Sequence, residues 1–205
     1  MIDRFALALL RPVIDGAARR AAAAGLTADQ VTLAGFGFGM VAAVLISFGF
    51  TLTALVPLLV GRALDGLDGA LARLSGATER GAFLDISLDF LFYAAIPLAF
   101  AVESPGANAL SAAILLAAFL GTGTSFLAFA VIAEKKGLKS TAYPSKSFYY
   151  LGGLTEGAET IACFAAFCLW PQYFPQIALF YAALCLVTIL TRLAAGWRMF
   201  GGNAA

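Results

Sequence analysis

The chain has 205 residues, 61% of them hydrophobic and 12% charged, with a mean hydropathy of +0.90. A soluble globular domain carries about 25% charged residues, so the composition excludes one and describes an integral membrane protein. A net charge of +1 gives no reason to expect a nucleic-acid partner, and the lack of histidine removes imidazole as acid, base or metal ligand.

Residues 1–24 are predicted as an amphipathic interfacial helix. Phe5, Leu9, Val13 and Ile14 make an apolar stripe and arginines populate the remainder, a pattern that lies on an anionic membrane surface. Gly25 breaks this helix, and Thr27 stands where an N-cap would start the next.

Residues 25–205 are read as a transmembrane unit, with spanning helices predicted over 29–49, 52–73, 81–102, 109–134, 147–170 and 175–198. Backbone groups in lipid must be satisfied internally, and nothing alternates as barrel strands do. The expected fold is therefore all-α: six transmembrane helices behind one interfacial helix, as a single domain. Cys163, Cys168 and Cys185 fall in apolar segments at spacings that fit no zinc pattern.

Lysine and arginine flank alternate connections. Arg4, Arg11, Arg19 and Arg20 precede the first span; Arg73 and Arg80 lie at the turn after the second. Lys135, Lys136, Lys139 and Lys146 lie between the fourth and fifth, and Arg198 follows the sixth. The other three connections carry none, so both termini and the turn after the second span are expected on the cytoplasmic side.

That turn is flanked by four aspartates. Ionisable groups in a spanning segment cost roughly 2.5–3.5 kcal/mol each and usually mark a site. Asp65 and Asp68 share one face at the end of the second span; Asp85 and Asp89 share one face at the start of the third. The short turn makes the two helices antiparallel neighbours, so the four acids can converge. Like charges at close range need a cation, and a set of hard oxygens suits Mg²⁺ or Mn²⁺. Gly66, Gly69 and Ala72 bare the helix face for a close-lying ligand, and Arg73 is placed to hold a phosphate. Metal, arginine and a spare carboxylate are what phosphoryl transfer requires.

The pattern Asp65-x2-Asp68-Gly69-x2-Ala72-Arg73-x7-Gly81-x3-Asp85-x3-Asp89 resembles the signature of the CDP-alcohol phosphotransferases. Their usual form has eight residues between the arginine and the glycine, and this chain has seven. The segment Leu26-Thr27-Ala28-Asp29-Gln30-Val31-Thr32 is also similar to that family, although Ala28-Asp29 stands where Pro-Asn is common. The resemblance implies transfer of a phosphatidyl group from CDP-diacylglycerol to a small alcohol, with release of CMP. It further implies Asp65, Asp68, Asp85 and Asp89 as metal ligands and Asp89 as general base. Gly69, Ala72, Arg73, Gly81 and Thr32 would contact the CDP moiety. The expected protein is a homodimer in a bacterial inner membrane, with its site on the cytoplasmic side.

Lys146 and Arg192, near the ends of the fifth and sixth spans, are candidates for the acceptor pocket. So are Glu156 and Glu159, expected about 9–13 residues into the fifth helix, or roughly 14–20 Å along it. Acids there favour an acceptor bearing hydroxyls or an amine. Two alternatives remain open: a cation transporter or channel using the acids as an ion site, and a catalytically inactive member of the family.

Overall fold

A computed structural model describes residues 2–137 and 153–201, with side chains from Pro12 onward in those ranges. Among these residues the chain is helical throughout: α1 (Ile2–Ala23), α2 (Ala28–Ser47), α3 (Thr51–Ser75), α4 (Glu79–Glu103), α5 (Pro105–Lys135), α6 (Gly157–Leu169) and α7 (Phe174–Phe200), the last preceded by a single 3-10 turn at Pro171–Tyr173. Four helices are long and apolar enough to cross a membrane: α2, α4, α5 and α7, the last with its preceding turn. Their outward faces carry exposed Val41, Val44, Leu91, Leu98, Leu110, Leu120, Phe180 and Leu190, an apolar surface of the kind that meets lipid or partners.

Local chemistry explains most boundaries. The Thr27 side chain accepts from the Gln30 N–H while the Gln30 side chain accepts from the Thr27 N–H, a reciprocal cap that starts α2. Gly49 and Gly76 take positive φ, +82° and +95°, at the ends of α2 and α3, conformations that cost glycine little. Thr78 caps α4 by accepting from the Gly81 N–H at 3.0 Å. Pro105 opens α5 at its first turn, four residues ahead of the expected start.

The expected fifth helix is the main departure. Residues 147–152 lie outside the described residues, and 153–156 are not helical; α6 begins only at Gly157. The N–H groups of Leu154 and Thr155 donate to Thr188 Oγ1, both at 3.2 Å, and the Gly153 N–H donates to a Glu156 carboxylate oxygen at 3.0 Å. Side-chain acceptors thus take the donors a helix would need.

Helices α2 and α3 meet backbone to backbone. A Cβ on Gly61 would stand 2.8 Å from the Gly35 carbonyl oxygen, and one on Gly35 would stand 3.1 Å from that of Gly61. Small residues at such crossings let helices pack without a hydrophobic drive. Further along α2, Gly39 seats the ring of Phe92 from α4. The apolar core fills one end of the bundle with Ile46, Leu58, Phe92, Ile96, Phe100, Phe164, Phe167 and Phe174; Phe100 and Phe174 stack at 4.6 Å. At the other end, Ala18 and Ala21 of α1 pack on Val31, Ala70 and Leu71. That contact docks α1 beside the aspartate-bearing end of α3.

Candidate functional site

The C-terminal half of α3 and the first turns of α4 bring the acids together. Asp65, Asp68 and Asp85 each present a carboxylate oxygen within 4.8 Å of the others. Asp68 is buried at 6% exposure, and its Oδ2 has no hydrogen-bond partner. A buried carboxylate oxygen without a partner is costly, and a cation satisfies it. Three hard oxygens with no nitrogen or sulfur donor fit Mg²⁺ or Mn²⁺.

Asp89 takes another partner. Its Oδ1 accepts from Arg62 Nη1 at 2.8 Å, and Arg62 Nη2 lies 3.5 Å from Asp65 Oδ1. The guanidinium also rests 4.4 Å from the centroid of the Phe92 ring, a favourable cation–π geometry. A small cavity of about 10 Å³ is lined by Thr32, Arg62, Asp65, Asp85 and Asp89, room for about one water-sized particle. So the four acids divide into a converging three and a fourth held by Arg62.

The residues expected around the CDP moiety sit at the same end. Thr32 borders the cavity. Nothing outside α3 crowds Gly69: the nearest atom to a Cβ there is Nη1 of Arg73, 3.7 Å away. Ala72 and Arg73 follow on the same helix; Arg73, half exposed, has its Nη2 3.9 Å from Asp15 Oδ1 of α1. Gly81 faces α2, since its Cβ would stand 3.2 Å from Asp29 Oδ1. Asp29 in turn accepts from Arg80 Nε at 2.8 Å. The residue standing where the family commonly has asparagine therefore ties α2 to the shortened turn.

The expected acceptor residues fall in a second polar layer. Lys146 lies outside the described residues. Glu156 and Glu159 are not deep in a helix: Glu156 is the N-cap of α6 and Glu159 stands in its first turn. Glu156 is buried at 8% exposure, with its carboxylate turned back onto the Gly153 N–H. Arg192, 7% exposed, donates from Nη1 to the Thr122 carbonyl of α5 at 3.0 Å and lies 5.4 Å from the centroid of the Phe126 ring. Thr188, fully buried, also receives the Thr155 hydroxyl at 3.0 Å. Tyr93, one helical turn beyond Asp89, connects the layers: its Oη is 3.8 Å from where a Cβ on Gly157 would stand.

Arg62, Thr122, Thr155 and Thr188 were not among the residues expected from sequence. Arg62 had a signal, as a lone arginine in an apolar run three residues before Asp65; Thr155 had one in the small and hydroxylated residues around Glu156 and Glu159, and Thr122 and Thr188 had none. Beside these layers, an apolar cleft of about 340 Å³ opens between α4 and α5, bordered by Ile86, Phe126, Leu127, Ala130, Val131 and Glu134.

The profile of the CDP-alcohol phosphatidyltransferase family matches residues 25–195. The inner membrane protein YnjF of Escherichia coli (strain K12) is 48% identical over 197 residues, covering 96% of each chain. The archaetidylinositol phosphate synthase of Pyrococcus horikoshii is 40% identical over 76 residues, 37% of this chain and 40% of that one. Among solved structures, the phosphatidylinositol phosphate synthase of Mycobacterium tuberculosis with CDP-DAG bound superposes with a TM-score of 0.72 at 22% identity, over 91% of this chain and 94% of that one. The same enzyme in complex with manganese and citrate gives a TM-score of 0.70, over 90% and 88% of the two chains. These superpositions establish a shared fold.

Proposed function

The chain belongs to the CDP-alcohol phosphatidyltransferase family, and from that premise we propose that it transfers a phosphatidyl group from CDP-diacylglycerol to a small alcohol in a bacterial inner membrane, releasing CMP. The observation that carries this reading is the convergence of Asp65, Asp68 and Asp85, within 4.8 Å of one another, beside the open face at Gly69. These three residues would hold the divalent ion. Bound there, Mg²⁺ or Mn²⁺ neutralises the pyrophosphate and the departing CMP.

Thr32, Gly69, Ala72, Arg73 and Gly81 receive the CDP moiety. Arg73 is half exposed and only loosely paired with Asp15, so it can turn to a phosphate oxygen. The acyl chains lie along the apolar cleft between α4 and α5, which begins at Ile86, next to Asp85. The acceptor hydroxyl attacks the phosphorus that bears the diacylglycerol. The new P–O bond forms as the bond to CMP breaks, and the hydroxyl proton passes to Asp89. Arg62 pins Asp89 Oδ1, which leaves Oδ2 to take that proton.

Glu156, Glu159 and Arg192 form the acceptor wall, and the two acids favour an acceptor with hydroxyls or an amine. Helices α3 and α6 complete six spans, α1 lies in the interface, and the family resemblance implies a homodimer. An ion path is disfavoured because the converging acids occupy one end of the bundle.

The test is CMP release by the purified protein with CDP-diacylglycerol and Mg²⁺ or Mn²⁺ across a panel of alcohols, with Asp89→Asn as the control. We expect release that depends on one acceptor class and falls at least a hundredfold in the variant, in line with the usual contribution of a general base. Release without any acceptor requirement, or equal rates in the variant, would contradict the assignment.

A further inference from the structure

Glu156 stands at the N-cap of α6, yet its side chain does not cap that helix. The buried carboxylate turns back instead and accepts from the Gly153 N–H at 3.0 Å. The guanidinium of Arg192 borders the same glycine: a Cβ there would stand 3.2 Å from Arg192 Nη2. Arg192 is fixed in place by α5, through the Thr122 carbonyl at 3.0 Å and the face of the Phe126 ring. A backbone N–H and a guanidinium side by side are donors suited to a phosphate. Here a carboxylate of the chain itself occupies the N–H. Backbone that is not helical survives inside a membrane bundle where it lines a polar cavity or is buried in protein, and residues 153–156 are such backbone. They adjoin Tyr93, whose Oη lies 3.8 Å from where a Cβ on Gly157 would stand, one helical turn beyond Asp89.

We propose that Glu156 is an internal stand-in for an acceptor phosphate: it fills the anion position beside Gly153 and Arg192, so that the chain takes an unphosphorylated alcohol and rejects the phosphorylated form of the same alcohol. The inference rests on the acceptor wall described under the proposed function and names the substrate class that wall admits. A phosphorylated acceptor has either to displace Glu156 from the Gly153 N–H or to bring a second anion beside it. Glu159, three residues on in the first turn of α6, adds to the repulsion. An alcohol without a phosphate meets no such opposition, and an amine on it is attracted. Glu156 decides which acceptor enters and takes no part in making or breaking bonds.

The test is calorimetric binding of glycerol phosphate and inositol phosphate, each against its parent alcohol, with a chelator keeping the metal site empty. CMP release from CDP-diacylglycerol is then measured with the same compounds and metal restored. The wild type should bind neither phosphorylated form and release CMP with neither. Glu156→Gln keeps an acceptor for the Gly153 N–H and removes the charge. It should bind at least one phosphorylated alcohol about tenfold or more tightly than the wild type does, and adding Arg192→Gln should abolish that gain. A purely structural Glu156 would instead lower the melting temperature and weaken every acceptor alike. A wild type that binds a phosphorylated alcohol as tightly as its parent overturns the proposal. So does a Glu156→Gln protein with the wild-type melting temperature and no gain, or a gain that survives the loss of Arg192. Where Glu156→Gln does not fold, the wild-type comparison decides. The binding arm needs no CDP-lipid: a gain in phosphate binding without CMP release from any alcohol would remove the transferase reading alone. Acceptor-dependent release without the gain would remove only the role given to Glu156.

Discussion

Three glycines near the site are alike in sequence and unlike in space. Gly61 is pressed on the Gly35 carbonyl, whereas Gly66 and Gly69 have room: their Cβ atoms would meet Ile14 and Arg73 side-chain atoms at an ordinary 3.7 Å. Gly61→Ala therefore forces α2 from α3 and should cost about 1–3 kcal/mol, the usual range for overpacking, read as a lowered melting temperature. Gly69→Ala should melt at or slightly above the wild-type temperature, since alanine has the better helix propensity. If CDP lies against Gly69, the same variant should raise KM for CDP-diacylglycerol several-fold. An unchanged KM would place the nucleotide elsewhere. The pair separates a glycine kept for packing from one kept for ligand.

At the scale of elements, the start of α6 depends on one hydroxyl from α7. Thr188 Oγ1 accepts from Leu154, Thr155 and the Thr155 side chain, and donates to the Leu184 carbonyl at 3.3 Å. Thr188→Val keeps the shape and removes these bonds, leaving the buried Thr155 donors unpaired at about 1–3 kcal/mol each. We expect a clear loss of thermal stability, and a higher KM for the acceptor with little change for the CDP-lipid, because the 153–156 segment carries Glu156. Thr191→Val is the control: its exposed hydroxyl bonds only within its own helix, to the carbonyls of Val187 and Thr188, and its loss should be near neutral.

For the molecule as a whole, alternate connections divide the charges, with Arg73 and Arg80 flanking the link from α3 to α4 and no lysine or arginine at the link from α4 to α5. Single cysteines at Ala77 and Gly106, both exposed, should then label from opposite faces of sealed vesicles, Ala77 from the cytoplasmic side. The three native cysteines are buried and should contribute little background. Labelling of both from one side would contradict the topology. The aromatic core at one end and the acids at the other give the bundle a polarity that one-sided access would use.

Much of this is legible in the chain itself. Hydropathy determined the helical membrane class, because lipid leaves backbone groups no partner but their own helix. The spacing of Asp65, Asp68, Asp85 and Asp89 determined that two antiparallel helices would share acids, because a helix repeats its faces every three to four residues. The link between Arg62 and Asp89 spans 27 positions, and that between Thr188 and Thr155 spans 33. No local period encodes contacts of that range. Which acid takes the arginine, where α6 begins and which glycine is under pressure were decided by packing, since each depends on a neighbour supplied by another helix.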